Sequence, residues 1–311
     1  MTTPRSQLVD QQIALHYHLV SRCVRRSWLC GRDPYTGKNY NHRKAWLESR
    51  LFHLGQYFAV EVDAYAIMSN HLHLVVFYDP LACESWTDEE VIWRWCEAFP
   101  RPGVLKDPEE VEHRKALQRE ALLQEPGSIE AARRCLGSLS AFMKHLKQPI
   151  ARRANREDKC TGHFFEGRFY SGALLGEEAV IAAMVYVDLN PVRAKIAKNI
   201  EQCRDCSIQR RLDVVENSPE RLKEAIAPLV SGLRESGAKN REINMKLGDY
   251  IEHVRWLSPV QPPSNPDDNH ARWFARVAAI KKRQRAFGFL DDLKNWVARH
   301  GYKRLGDALP E

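Results

Sequence analysis

Two histidines one residue apart, His71 and His73, head the apolar run in A-I-M-S-N-H-L-H-L-V-V-F-Y, residues 66–78. In an extended strand both would point to one face while Leu72 points to the other. That geometry presents two imidazoles to a single cation; a pair of polar residues on a strand surface is the competing reading. Further along, Tyr186 and Asn190 stand at i and i+4 of a helical pattern, adjacent on one face. Pro191 disfavours helical geometry at Asn190 and is at home in a helix's first turn. Asn190 therefore fits either a cap of a short following helix or a ligand, and different atoms of its amide can serve both.

Residues 149–172, P-I-A-R-R-A-N-R-E-D-K-C-T-G-H-F-F-E-G-R-F-Y-S-G, interleave arginines with aromatics. Cations bind phosphates and aromatic faces stack on bases, which makes this the best nucleic-acid patch in the chain. A solvated charged turn followed by an amphipathic strand is the alternative. Cys203 and Cys206 form a C-x-x-C, but a structural zinc site needs four ligands and no second pair with matching spacing follows. Two incidental thiols is the better reading.

A chain of 311 residues can bury one sizeable core. The formal net charge of +7 is small for that length, so its distribution says more. Residues 81–130 hold twelve acidic and six basic side chains, whereas residues 143–172 hold seven basic and three acidic, and residues 270–311 ten and four. An acidic middle between basic segments suits a protein with one cationic face. No apolar stretch approaches the roughly 20 residues of a membrane span, and M-T-T-P-R-S-Q lacks the apolar core of a signal peptide. The expectation is a cytoplasmic protein whose eight cysteines stay reduced.

The elements that would position these groups follow from periodicity. Residues 13–24 alternate as a strand whose His16, His18 and Arg22 share a polar face, either the solvent side or the wall of a site. Arg25 and Arg26 follow it. Leu47, Leu51 and Leu54 mark an amphipathic helix over 42–54. Residues 57–68 form a second strand that pairs antiparallel with the histidine strand across Ser69-Asn70. Residues 80–127 read as a helical insertion, opened by a Thr87/Glu90 capping box and interrupted by the loop F-P-R-P-G-V-L-K-D-P. A helix over 128–147 ends before Pro149, a strand covers 163–171, and a helix begins with the acids at Glu177. Residues 201–257 extend the chain as helices, 258–269 form a proline-rich linker, and 270–311 read as a small basic unit of two amphipathic helices.

In order along the chain, N-H-L-H-L-V-V, G-H-F-F-E-G-R-F-Y-S and Y-V-D-L-N-P-V-R-A-K resemble the single-tyrosine HUH transposases, and within them the REP-associated tyrosine transposases. The resemblance covers residues 13–200, within a catalytic domain spanning 1–200. It implies an α+β fold: a ferredoxin-like antiparallel sheet with helices packed mainly on one face, here carrying a helical C-terminal extension. It also implies Tyr186 as nucleophile, His71 and His73 as metal ligands, Asn190 as the third polar ligand, and Mg²⁺ or Mn²⁺ as cofactor. The expected partner is single-stranded or hairpin DNA. The candidate DNA contacts are Arg22, Arg25, Arg26, Arg152, Arg153, Arg156, Arg168 and Arg193. The long insertion and the C-terminal extension depart from the family's minimal core. The extension would grip DNA, hold a partner, or replace the second subunit of some relatives, and the last of these implies a monomer.

Two other classes fit parts of the same pattern. A non-catalytic DNA-hairpin binder derived from a transposase would use the cationic face without cutting. A metal hydrolase would place His71 and His73 in a larger ligand set, for which none of the other histidines forms a second close motif on a convincing strand.

Overall fold

The computed structural model describes residues 8–100, 108–233, 241–258, 268–282, 284–302 and 305–311. Most of the proline-rich segment 258–269, and residues 101–107 of the expected loop, lie outside the described residues. Strand β1 (Leu15–Arg22) leads to helix α1 (His42–Gly55), and β2 (Val60–Ile67) and β3 (His71–Tyr78) form a hairpin. Helices α2 (Asp88–Ala98), α3 (Pro108–Gln124), α4 (Ser128–Leu136) and α5 (Leu139–Glu157) follow, then β4 (Tyr170–Leu174), α6 (Glu177–Asp188) and the one-turn α7 (Asn190–Arg193). The remainder supplies α8 (Ser207–Asn217), β5 (Ala225–Ile226), β6 (Val230–Ser231), β7 (Ile243–Lys246), α9 (Leu247–Trp256), α10 (Asp268–Ala279), β8 (Ala286–Phe287) and α11 (Leu290–His300).

The main sheet runs β6-β2-β3-β1-β4-β8. Its neighbours are antiparallel except β4 and β8, which are parallel, so the sheet is mixed rather than purely antiparallel. Tyr17, Leu19, Leu74 and Val76 pack on one face with residues of α1, α4 and α5. Ala64, Ala66 and Val75 pack on the other with α6, α8, α9 and α10. Helices therefore cover both faces, correcting the expectation of packing mainly on one. The physical reason is visible in β2, whose eight residues are all buried: a strand covered on both sides need not alternate.

The extension is not purely helical either. β6 pairs with β2 at one margin of the sheet and β8 with β4 at the other. Two-residue strands are too short to leave a period-two signature in a sequence. Arg241 ties the same segment down: its Nε donates to Glu61 Oε2 at 2.7 Å and its Nη2 to Asp63 Oδ1 at 2.6 Å. Both carboxylates are buried in β2, and burial still pushes Asp63 up to about 6, with the Arg241 charge opposing the shift.

Two boundaries move for local reasons. The Thr87 cap is present, its Oγ1 accepting the Glu90 N–H at 3.2 Å. Helix α5, however, continues through Pro149 instead of ending before it. A proline leaves the carbonyl four residues earlier without its helical donor. Here that carbonyl, on His145, accepts from Arg50 Nε at 3.4 Å. The strand expected over 163–171 begins only at Tyr170, although Phe165 makes a single bridge to Cys23. Among the described residues no helix is long and apolar enough to cross a membrane.

Candidate metal and nucleophile site

The register of β1 against β3 puts Arg22 opposite His71, Val20 opposite His73 and His18 opposite Val75. Paired residues share a face, so His18, Arg22, His71 and His73 all point to the side that α6 covers. The polar parity of β1 thus faces the covering helix rather than solvent. His18 and His73 are 2% and 4% exposed, whereas His71, at the mouth of the hairpin, is half-buried.

α6 can lie close over these strands because it presents Ala179, Ala182 and Ala183 and meets Ala64 and Ala66 of β2. Its last turn sets the Tyr186 ring 5.6 Å from that of His73 and 5.8 Å from that of His18, at 75° and 72°. Every neighbour from Ala179 to Asp188 is buried while Tyr186 is only half so, leaving the phenol at the rim of the site. Tyr170 closes the far side, its ring 6.1 Å from His18.

The imidazoles are oriented from behind. His71 Nδ1 lies 2.6 Å from Asn70 Oδ1, an atom that can only accept, so the ring proton sits on Nδ1 and the lone pair on Nε2. Asn70 is itself fixed, its Nδ2 donating to the Arg26 carbonyl at 3.1 Å. His73 Nδ1 lies 2.9 Å from His18 Nε2, the two rings edge to edge and within 11° of parallel. The rings of His71 and His73 are 4.8 Å apart.

Asn190 is the first residue of α7 rather than its cap, a position taken by Leu189. Its Nδ2 donates to the Tyr186 carbonyl at 2.9 Å, satisfying an orphan acceptor at the end of α6. The structural role of the amide falls on its nitrogen, and Oδ1 is the atom suited to a cation. The Arg193 guanidinium lies 5.5 Å from the Tyr186 ring, where burial pushes its pKa down while the nearby tyrosine opposes the shift. Imidazole nitrogens and an amide oxygen are donor types that Mg²⁺ or Mn²⁺ accepts, as do Zn²⁺ and Ni²⁺. Among the described residues no three His, Cys, Asp or Glu side chains form a metal-holding group. Cys203 and Cys206 are buried in the core and, with the other six cysteines, form no disulfide.

The eight candidate arginines do not form one patch. Arg22 and Arg193 are at the site, and Arg25 and Arg26 are exposed in the turn after β1. Arg152 and Arg168 instead line a groove of about 700 Å³ with Lys144, Lys147, His163 and Phe169. Phe169 belongs to the core under α5, on the opposite side of the sheet from Tyr186. Arg153 packs on Trp46 at 3.8 Å, and Arg156 is exposed on α5. The backbone nevertheless links groove and site, the Glu166 N–H donating to the Arg22 carbonyl at 2.7 Å.

Three contributors carry no role in a motif reading. His18 was detectable as a polar position on a strand but not as a partner of His73. Asn70 opens N-H-L-H-L-V-V, but its contact with the His71 ring has no signature in the sequence. Asp188, inside Y-V-D-L-N-P, is fully buried and accepts from Ser207 Oγ, from the Ile208 N–H at 2.8 Å and from Tyr250 Oη at 2.6 Å.

No protein-family model matches the sequence, and no curated protein matches it. Among solved structures, the chain is distantly similar to one described as a REP-associated tyrosine transposase bound to a REP hairpin, at 11% identity and a TM-score of 0.36. The alignment covers 78% of this chain and 100% of that one.

Proposed function

We propose that the chain cleaves and rejoins single-stranded DNA through a 5′-phosphotyrosyl intermediate, using Tyr186 as nucleophile and a Mg²⁺ or Mn²⁺ ion held by His71, His73 and Asn190. One observation carries the reading: the half-exposed Tyr186 ring stands 5.6 Å from His73, on the face that also carries His71, whose ring is 4.8 Å from that of His73. A phenol, with a reference pKa of about 10, is a weak nucleophile at neutral pH, and a phosphodiester anion repels attack. A cation bound there would withdraw phosphate charge and orient the scissile bond.

The Tyr186 oxygen attacks phosphorus and the P–O3′ bond breaks. The phenolic proton passes to solvent, and the departing O3′ takes up a proton to become a 3′-hydroxyl. Attack by a 3′-hydroxyl on the phosphotyrosine reverses these changes and joins strands, so no water is consumed and the bond energy stays in the adduct. Arg193 offsets negative charge beside the reacting oxygen. The motif resemblance points to hairpin-forming palindromic DNA as substrate. Arg22, Arg25 and Arg26 would hold backbone near the site, and Arg152, Arg156 and Arg168 backbone near the groove.

The test is incubation of purified protein with hairpin oligonucleotides carrying a single-stranded flank, in Mg²⁺ or Mn²⁺. A 3′ label should become covalently attached to protein, while a 5′ label should appear on a shorter free strand. Tyr186→Phe should abolish both products. Attachment that survives in Tyr186→Phe sinks the assignment, and salt-sensitive binding with no adduct under any divalent metal supports the non-catalytic alternative.

A further inference from the structure

We propose that His18 is a positioning residue for the metal site: it accepts a hydrogen bond from His73 Nδ1 and thereby fixes the His73 lone pair on Nε2, the ring nitrogen that would take a cation. This rests on the function proposed above and adds to it a residue outside the three sequence motifs.

The argument begins with an asymmetry between the two ligands. The proton position on His71 is dictated by its partner, because Asn70 Oδ1 can only accept. His73 has a partner that can do either, the His18 Nε2 at 2.9 Å. Neutral imidazole carries one proton, so the contact has two arrangements. If His18 donates, His73 keeps its proton on Nε2, where it blocks a cation. If His18 accepts, the two histidines of the motif present matching Nε2 lone pairs. Outer partners of ligating histidines act in this way, fixing both tautomer and ring orientation.

The packing holds His18 to the task. It sits on β1 opposite Gly172 of β4 and Val75 of β3, so both neighbouring strands grip its backbone. Its ring is clamped edge-on by Tyr170 at 6.1 Å and Tyr186 at 5.8 Å and lies parallel to His73 at 5.2 Å. Gly172 keeps this arrangement compact, since a Cβ there would collide with the Tyr170 hydroxyl. Contact with both the His73 and Tyr186 rings makes His18 the common wall of ligand and nucleophile.

The experiment uses the full-length metal-free chain with ring-¹⁵N histidine at pH 8, where free imidazoles are neutral. Two-bond ¹H–¹⁵N correlations report the tautomer of His73, and EPR of free Mn²⁺ reports affinity. Wild type should show the Nδ1–H tautomer at His73. His18→Leu should lose that preference and weaken Mn²⁺ binding by about 10- to 100-fold. His18→Gln, whose amide oxygen can accept the same proton, should restore most of the affinity. An Nε2–H tautomer at His73 in wild type overturns the proposal without any variant. So does unchanged Mn²⁺ affinity in His18→Leu when His71→Ala has lost it. Wild-type Mn²⁺ binding that His71→Ala leaves intact overturns the metal site itself, a distinguishable failure.

Discussion

The Tyr250 hydroxyl donates at 2.6 Å to the carboxylate of Asp188, two residues beyond Tyr186 and sixty-two earlier in the chain. Asp188 also accepts from Ser207 and Ile208, so one buried carboxylate joins the end of α6 to α8 and α9. Burial pushes the Asp188 pKa up, and the Arg211 charge and these donors pull it back. Tyr250→Phe removes one donor from a group with no access to water. It should cost about 1–3 kcal/mol in urea denaturation. It should also slow adduct formation more than it weakens Mn²⁺ binding, because α6 carries the tyrosine whereas two of the three proposed ligands, His71 and His73, lie on β3. An unchanged adduct rate would show that this anchor does not position Tyr186.

Asn190→Ala separates the two uses of the amide. Loss of the Nδ2 bond to the Tyr186 carbonyl should cost about 1 kcal/mol of stability, readable in the denaturation midpoint. Loss of Oδ1 should lower Mn²⁺ affinity by about tenfold or more, readable by calorimetry. A stability change with unaltered metal affinity would leave Asn190 as a helix terminator only.

Much of this site was legible as residue types and little of it as distances. The His71/His73 strand, the i, i+4 relation of Tyr186 and Asn190, and the hairpin at Ser69-Asn70 follow from local periodicity. Pairing between β1 and β3 joins residues 49 to 63 positions apart, so the His18–His73 contact has no local signature. The arginines behave conversely: contiguous in sequence at 152–168, they are divided by strand and helix directions among the groove (Arg152, Arg168), the Trp46 ring (Arg153) and the exposed side of α5 (Arg156). Coverage of both sheet faces was hidden for a further reason, since Glu61 and Asp63 in V-E-V-D-A-Y-A-I read as a polar, solvent-facing alternation although both are buried.

Charge reversal in that groove gives an independent reading of nucleic-acid binding. Lys144→Glu with Arg168→Glu should weaken hairpin binding and lower the slope of log affinity against log salt by about 0.7–0.9 for each phosphate no longer neutralised. Mn²⁺ affinity should not change, because the groove lies across the sheet from the histidines. An unaltered salt slope would remove the groove from the DNA path.

Acid should destabilise the fold through histidines buried in neutral form. Burial, with the Arg241 charge, lowers His16 to about 3, and burial, with the His270 charge, lowers His253 to about 4. A depressed folded-state pKa gives stability that is fully present above the unfolded value of about 6.5 and is lost as pH falls towards the folded value. Asp63, raised to about 6, acts in the opposite sense, its contribution being present below its unfolded value and lost as pH rises through 6. Comparing variants isolates one group. The melting temperature of His253→Phe relative to wild type should rise between pH 7 and pH 5, and a constant difference would show that His253 charges freely in the folded protein.

The margins of the sheet have a bearing on how the chain can be cut or shortened. β6 together with residues 205–207 shields the outer side of β2, the Ile67 N–H donating to the Asp205 carbonyl at 2.9 Å, and β8 shields β4. A fragment stopping at residue 200 would keep every motif residue yet leave two rows of backbone donors and acceptors bare, a template for stacking onto other copies. Such a truncation is expected to precipitate or self-associate rather than behave as a smaller version of the protein, so the tail serves as protection against self-association.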